Sequence, residues 1–277
     1  MFTPPEFFKT GHRGCRGLYP ENTIEGFLEA LRFGINTLEL DEVVSLDGKL
    51  VVSHEPYMNP EICLKPDGSE IKPEEDRKYN LYKMSYTEIT KFDCGLKIHP
   101  RFPKQKKEKN FKPLLSEVIN VTEAFLKENH LAPILYDIEI KSEETEYGVS
   151  QPAPKEFAEL VAGFIYDNKI SEKVILRSFD LAPLQYLYKK YPLLPLALIV
   201  ENGLSAKQNL DRLGFVPYMY SPEYVLLNKE EMTFLKHKKL VVVPWTVNTE
   251  EEIRTLLHLE VDGIITDYPD LFKTMAL

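Results

Sequence analysis

The sequence has few cysteines and no long hydrophobic run, and each shortage excludes a class of protein. Its 277 residues include three cysteines, Cys15, Cys63 and Cys94. They are odd in number and lack the spacing of metal ligands, so we expect neither a disulfide framework nor a zinc site. The longest apolar run, residues 193–200, is too short to span a bilayer. We therefore expect no transmembrane segment.

Basic residues are also scarce relative to acidic ones. The chain has 34 lysines and arginines against 43 aspartates and glutamates, a formal net charge of −9. This balance argues against nucleic acid as the main partner. The first residues lack the basic-then-apolar pattern of a signal peptide, which favours cytoplasmic residence, with a periplasmic location as the alternative if a leader was removed. The sequence predicts no particular oligomeric state.

Hydrophobic periodicity predicts strands that alternate with helices. Strand-like runs are centred near residues 10, 39, 52, 137, 176, 198, 219, 243 and 265, and most are followed by an amphipathic helical stripe. Without the hairpin arm near residue 52, eight strands remain. We predict a single α/β domain over residues 1–277, a (β/α)8 TIM barrel. An open doubly wound sheet is the alternative, but no glycine-rich phosphate loop follows the first strand.

Local signals predict several helix starts and one tight hairpin. The expected helix caps are Asn22 (with Glu25), Ser116, Asp180, Asn228 (with Glu231) and Thr249 (with Glu252). Asp47-Gly48 lies between two β-rich runs and predicts a two-residue hairpin turn. In that register Asp41 faces His54, whereas a longer loop would shift the pairing by one or two residues. The two-residue register would carry His54 across from the acidic end of its partner strand, and the distance between them depends on that register.

Residues 55–113 lose the regular periodicity and contain seven of the 20 prolines. Such a long irregular stretch is usually functional or a small subdomain, so we predict an insertion at the active-site face. The sequence of this insertion does not indicate an apolar groove. It carries a basic cluster: Lys97, Arg101, Lys104, Lys106, Lys107 and Lys109. One interpretation is a solvated loop, and the other is a patch that attracts an anionic substrate.

Acidic side chains lie at the predicted ends of two strands. Glu39 and Asp41 share one face of a strand because successive side chains alternate, and Glu139 and Lys141 do the same on another. Barrel enzymes have their active sites at the C-terminal ends of the strands. Three carboxylates that converge there would suit Mg²⁺ or Ca²⁺ rather than zinc.

Other polar residues are predicted at the same ends of the strands. Arg13 and Lys141 are cations suited to a phosphate group, and His12 and His54 offer an acid and a base near neutral pH. Each of these residues has a structural interpretation as well, since a histidine at the end of a strand can be a capping residue or a packing residue without a catalytic role. Trp245, the only tryptophan, would by default belong to the core. We expect the remaining histidines at the surface: His99, His130, His237 and His258.

The ordered set of motifs carries a family resemblance. The motifs are His12-Arg13-Gly14, Pro20-Glu21-Asn22-Thr23, Glu39-Leu40-Asp41, Asp47-Gly48, Val51-Val52-Ser53-His54, Glu139-Ile140-Lys141, Ser178-Phe179, Trp245-Thr246-Val247-Asn248 and residues 262–269. This series resembles the glycerophosphodiester phosphodiesterase family, a group of phospholipase C-like TIM barrels. The resemblance runs from residue 11 to about residue 270. It implies metal-dependent hydrolysis of glycerophosphodiesters to sn-glycerol 3-phosphate and an alcohol.

The resemblance also implies roles for individual residues. One divalent cation, Mg²⁺ or Ca²⁺, would be held by Glu39, Asp41 and Glu139. His12 and His54 would form the general acid–base pair. Arg13 and Lys141 would hold the phosphate, and Trp245 would line the glycerol pocket.

This sequence departs from the family pattern at three positions without losing a catalytic group. Glu55 stands after His54 where aspartate is usual, Glu42 follows Asp41 where an apolar residue is usual, and Ser45 replaces a threonine. Two other functions remain open: a lysophospholipase D-type phosphodiesterase, and a non-catalytic barrel that binds phosphorylated ligands. A structural or partner-binding protein would leave the ordered set of polar strand ends unexplained.

Overall fold

The computed structural model describes residues 2–277, and its strands follow the predicted series. The strands are β1 (Phe8–Gly11), β2 (Thr37–Val44), β3 (Leu50–Val52), β4 (Leu135–Ile140), β5 (Val174–Ser178), β6 (Leu196–Val200), β7 (Met219–Pro222), β8 (Val241–Val242) and β9 (Gly263–Thr266). Each lies at a position where the periodicity predicted a strand.

Helices follow most of these strands. They are α1 (Ile24–Arg32), α2 (Tyr86–Ile89), α3 (Leu115–Glu128), α4 (Pro154–Asp167), α5 (Leu181–Lys190), α6 (Ala206–Leu213), α7 (Lys229–His237), α8 (Glu250–His258) and α9 (Asp270–Thr274). Within residues 2–277, no helix combines the length and the apolar character that a membrane span requires.

The eight parallel strands close into a barrel. Their order is β8-β7-β6-β5-β4-β2-β1-β9, and β3 is the antiparallel hairpin arm of β2. Backbone hydrogen bonds of 2.9–3.0 Å join the two ends, from the N–H groups of Asp262, Ile265 and Val247 to the carbonyl oxygens of Val242, Pro244 and Ile265. The predicted (β/α)8 barrel is confirmed, and the doubly wound alternative is wrong.

The alternation of side chains along β2 explains how this barrel produces a polar mouth. Leu38 and Leu40 are fully buried in the apolar layer between the sheet and the helices. Glu39 and Asp41 therefore point to the opposite face, which is the barrel interior. A separate apolar cluster that includes Phe8 and Ile265 fills the interior elsewhere. The apolar packing outside the sheet thus determines the direction of the two carboxylates.

Three of the predicted helix caps are present. The carboxylate of Asp180 accepts a hydrogen bond in the first turn of α5. The hydroxyl of Thr249 does the same in α8, and the carboxylate of Glu252 accepts the backbone N–H of Thr249 in return. Asn228 caps α7, but Glu231 does not complete a capping box. Its carboxylate instead accepts the N–H of Ala206 at 2.8 Å, which joins α7 to the start of α6.

Two other cap predictions are wrong, and one error is informative. Thr23 rather than Asn22 caps α1, with its hydroxyl 3.1 Å from the N–H of Gly26. Asn22 instead donates to Asp41 at the barrel mouth. The helix expected to start after Ser116 begins at Leu115, so Ser116 lies within its first turn.

The hairpin register differs from the two-residue prediction by one position. Glu42 pairs with Val52, so residues 46–48 form a three-residue loop. Gly48 has a φ of 71°, the left-handed conformation that such a loop favours at its last position. The carbonyl of Asp41 therefore accepts the N–H of Ser53 at 2.9 Å, and His54 follows one residue beyond the pairing.

A disulfide between Cys63 and Cys94 contradicts the expectation that the chain has none. It joins two parts of the insertion that are 31 residues apart. Both sulfurs lie in a small apolar cluster with Met58 and Phe92. The odd cysteine is Cys15, which is buried and free. Counting and spacing could not reveal this pair, because the two residues have no local motif and meet only when the insertion folds.

Thiol counting tests this disulfide. We expect one reactive thiol per chain, that of Cys15, when the protein is denatured without reductant, and three after reduction. Alkylation followed by mass measurement gives both numbers, and the Cys15→Ser variant should show none without reductant. Three reactive thiols in the unreduced protein would contradict the structure.

Candidate active site

Three buried carboxylates meet at the end of strands β2 and β4. Asp41 pairs with Glu139 across the two strands, and Glu39 lies two residues before Asp41 on the same face. One oxygen from each carboxylate lies within 4.8 Å of the others. Burial and the adjacent Asp41 raise the pKa of Glu39 well above its ordinary value. Three convergent, mutually repelling hard oxygen ligands fit a divalent cation.

Asp41 is held by groups that the sequence analysis only partly identified. Burial works against its ionisation, but Arg13, His54 and Lys141 keep the pKa of Asp41 well below its ordinary value. The Nδ2 of Asn22 donates to Oδ2 of Asp41 at 2.8 Å. Asn22 was treated as a helix cap, and its place in the Pro-Glu-Asn-Thr motif was the available signal for a site role.

The geometry of His12 determines which ring nitrogen carries a proton. Its Nδ1 lies 2.7 Å from Oδ1 of Asp267, and its Nε2 lies 3.9 Å from Oε2 of Glu39. Despite burial, His12 and Arg16 hold the pKa of Asp267 well below its usual range, so Asp267 is an acceptor. His12 therefore donates from Nδ1. Burial and the nearby Arg16 lower the pKa of His12 to about 3, which leaves Nε2 unprotonated at neutral pH.

Asp267 was missed as a functional residue by the sequence analysis. It follows β9 directly, accepts two hydrogen bonds from Arg16 at 2.8 and 3.1 Å, and accepts one from Asn248 at 2.8 Å. Its position directly after a strand places it at the C-terminal end of the barrel, where active-site residues are expected. The structure gives it the role of orienting His12.

His54 reaches the same cavity as His12 from the hairpin side. Its Nδ1 lies 2.8 Å from Oε1 of Glu55, so the longer side chain at that position still contacts the ring. The side chain of His54 is 30% exposed, whereas that of His12 is 10% exposed. The two histidines thus have the same kind of carboxylate partner but different access to solvent.

The predicted phosphate-binding cations are present but paired. Lys141 Nζ lies 2.6 Å from Oε1 of Glu139 and 3.8 Å from Asp41. Arg13 donates its backbone N–H to Glu39 at 2.8 Å and its guanidinium to Glu21 at 2.9 Å. Each therefore also positions a carboxylate of the triad.

Trp245 lines the cavity rather than filling the core. Its Nε1 donates to the carbonyl of Ser221 at 2.9 Å, and its ring packs edge-on against Phe179 with 5.5 Å between centroids. Trp245 is partly exposed and also packs against the apolar cluster inside the barrel, so it combines a cavity wall with a core contact.

Two adjoining cavities contain these residues. The first, of about 510 Å³, is lined by both histidines, Arg13, Lys141 and Trp245, among others. The second, of about 1020 Å³, lies between the barrel mouth and the insertion. Their shared walls are Glu139, Lys141, Phe179 and Glu201. A molecule that spans both would pass Glu139 and Lys141.

The second cavity has apolar walls that were not expected of the insertion. Ile71 and Ile98 line it from the insertion, and Phe179 lines it from the barrel. The sequence analysis found no apolar groove because these residues are far apart in the chain and show no common periodicity. The insertion instead builds the groove from isolated side chains.

One surface histidine prediction is wrong. His99 is buried, with its Nε2 3.8 Å from Oε2 of Glu21. His130, His237 and His258 are exposed, as expected.

The basic cluster does not act as one surface. Arg101 lines the first cavity and Lys97 lines the second, whereas Lys106 pairs with Glu108 at 3.0 Å. Lys104, Lys107 and Lys109 are exposed and line neither cavity.

Comparison with known proteins identifies relatives across almost the whole chain. Residues 12–271 match the model of the glycerophosphoryl diester phosphodiesterase family. A glycerophosphodiester phosphodiesterase of Bacillus subtilis (strain 168) is 26% identical over 285 residues, which cover 98% of this chain and 87% of the relative. Lysophospholipase D GDPD1 of Mus musculus is 26% identical over 292 residues, covering 95% and 83%.

Solved structures show the same architecture. A putative glycerophosphoryl diester phosphodiesterase from Silicibacter pomeroyi superposes with a TM-score of 0.84 at 27% identity, covering 100% of this chain and 96% of that one. A phosphodiesterase from Oleispira antarctica, solved in complex with its product sn-glycerol-3-phosphate, gives a TM-score of 0.75 at 20% identity, covering 96% and 95%.

Proposed function

The chain belongs to the glycerophosphoryl diester phosphodiesterase family, and we propose that it hydrolyses glycerophosphodiesters to sn-glycerol 3-phosphate and an alcohol. The observation that carries the proposal is the convergence of two histidines, two cations and the carboxylates Glu39 and Glu139 on one cavity, with Asp41 in the same carboxylate cluster. A barrel that only bound phosphorylated ligands would need the cations, but it would have no use for two carboxylate-oriented histidines.

In this proposal Glu39, Asp41 and Glu139 hold one divalent cation, Mg²⁺ or Ca²⁺. When bound, the cation supplies Lewis-acid stabilisation of the charge that develops on the phosphoryl oxygens. Arg13 and Lys141 lie beside the triad and hold the phosphate. Trp245 forms the wall against which the glycerol packs.

We assign the base of the first step to His12 and the acid to His54. His12 is neutral with a free Nε2, so it removes the proton of the attacking glycerol hydroxyl. That oxygen bonds to phosphorus while the bond to the leaving alcohol breaks, and His54 donates a proton to the departing oxygen. The resulting cyclic phosphate is opened by water, with the two histidines in exchanged roles, to give sn-glycerol 3-phosphate.

The second cavity offers a place for the departing alcohol. It shares Lys141 and Phe179 with the cavity that contains the two histidines. A substrate whose phosphate lies in that cavity can therefore extend its head group into the second one. Its size and its apolar residues Ile71 and Ile98 also support a second candidate, a lysophospholipase D-type activity on acylated substrates. Rates on glycerophosphocholine and on lysophosphatidylcholine decide between them.

The disulfide bears on location. Disulfides persist in oxidising compartments and are rare in the cytosol. We therefore propose that the protein works in an oxidising environment, which favours the periplasmic alternative over cytoplasmic residence.

Metal dependence tests the proposed activity. We expect release of sn-glycerol 3-phosphate from glycerophosphocholine, loss of that release to the background rate in EDTA, and recovery with Mg²⁺ or Ca²⁺, because the triad cannot bind an anionic substrate without a cation. A coupled assay for glycerol 3-phosphate measures all three. Full activity in chelator would contradict the mechanism.

A further inference from the structure

We infer that Arg101 is a phosphate-binding residue that the insertion contributes to the active site. The inference deepens the proposed function, on which it rests, by adding a contact from residues 55–113. Arg101 lines the catalytic cavity together with His12, Arg13 and Lys141. It is the one member of the basic cluster to do so.

The other cations of this cavity are already committed to carboxylates. The pairs are Arg13 with Glu21 (2.9 Å), Arg16 with Asp267 (2.8 Å), Lys141 with Glu139 (2.6 Å) and Arg177 with Asp137 (2.6 Å). An anionic ligand must share these cations with the carboxylates that hold them. Their net attraction for a phosphate is therefore reduced.

Arg101 differs because its guanidinium has no such partner. Across residues 2–277, no carboxylate lies within ion-pair distance of it, and its side chain is exposed. A guanidinium offers two parallel N–H groups to two phosphate oxygens, a geometry that lysine lacks. Arg101 thus has both the charge and the donors free at the cavity wall.

The surrounding residues hold Arg101 at that wall. Its guanidinium carbon lies 5.5 Å from the ring centroid of the buried Phe102, and that of Arg16 lies 5.1 Å from the same centroid. The backbone N–H of Arg101 donates to Nδ1 of the buried His99 at 3.1 Å. Cation–π contacts and this hydrogen bond place Arg101 next to the residues that orient His12.

The charge of the ligands predicts where Arg101 matters most. A phosphodiester carries one negative charge, whereas a phosphate monoester carries between one and two at pH 7. We therefore expect Arg101 to contribute to substrate binding and to contribute more to binding of sn-glycerol 3-phosphate.

The test compares Arg101→Ala with Lys104→Ala and Lys107→Ala. Each control removes one positive charge from the same segment at an exposed position outside both cavities. We expect Arg101→Ala to weaken binding of sn-glycerol 3-phosphate, measured by calorimetry, by roughly tenfold, as for loss of a charge-assisted hydrogen bond. KM for glycerophosphocholine should rise in parallel, Arg101→Lys should fall in between, and the controls should stay within about twofold of wild type.

Equal effects of Arg101→Ala and the two lysine variants would overturn the inference, because the cluster would then act only through its summed field. No effect of Arg101→Ala, or no binding of sn-glycerol 3-phosphate by the wild type, would overturn it as well. A wild type that binds sn-glycerol 3-phosphate but turns over no glycerophosphodiester would instead remove the proposed function. The calorimetric comparison of the variants would still decide the role of Arg101.

Discussion

His12→Ala should reduce kcat for glycerophosphocholine by about 10³-fold, within the range measured for loss of a positioned general base. The buried ring is neutral, its Nδ1 proton is donated to Asp267 at 2.7 Å, and its Nε2 faces the carboxylate triad. The other imidazole of this cavity belongs to His54, to which we assign the role of the acid. Steady-state kinetics with excess divalent cation measure the loss.

His130→Ala is the matched control, because His130 is exposed and lines neither cavity. It should leave kcat unchanged. Thermal unfolding of both variants separates a catalytic effect from loss of the fold. Asp267→Asn should lie between His12→Ala and wild type, since the amide keeps the packing but no longer favours the Nδ1 proton. More than a tenth of the wild-type kcat in His12→Ala would contradict the assignment of the base.

The strand pattern predicted the carboxylate triad because alternation is a local property. Leu38 and Leu40 are apolar and pack outward, so Glu39 and Asp41 had to point inward. Equivalent reasoning on β4 placed Glu139 beside them, and the barrel brought the two strand ends together. The fold and the convergence of the three carboxylates therefore followed from periodicity.

Contacts between distant segments could not be predicted in the same way. The His12–Asp267 pair spans 255 positions of the sequence, and Asp267 carried no signal beyond its place at a strand end. Cys63 and Cys94 meet only within the folded insertion. The local sequence predicts His99 at the surface, but the folded insertion buries it beside Glu21. Such pairings depend on tertiary packing, for which the local sequence holds no periodic pattern.

The hairpin register shows a smaller failure with a local cause. Asp-Gly sequences favour a two-residue turn, but the same two residues also suit a three-residue loop in which glycine adopts the left-handed conformation. The hydroxyl of Ser45 accepts the N–H of Lys49 at 3.1 Å and closes this longer loop. The single-residue shift leaves His54 at the cavity because the residue lies beyond the paired part of the strand.

The second large effect is expected at the proposed metal site. Glu139→Gln should lower affinity for the divalent cation by about 10- to 100-fold, at least the loss seen when a residue supporting a metal ligand is removed. The substitution keeps the size of the side chain and removes one of the three charges. It also leaves Lys141, 2.6 Å away, without its closest carboxylate, which adds to the local repulsion of a cation. Isothermal titration of Mg²⁺ and Ca²⁺ into the metal-free protein measures the change without relying on turnover.

Glu42→Gln provides the control for this experiment. Glu42 follows Asp41 on β2, is fully buried, and points to the opposite face of the strand. Burial and the neighbouring Asp41 raise the pKa of Glu42 well above its ordinary value, and its side chain faces away from the other three carboxylates. We expect the cation affinity of Glu42→Gln to stay within about twofold of wild type. Equal losses in the two variants would mean that the acidity of the strand, and not the convergence of Glu39, Asp41 and Glu139, attracts the cation.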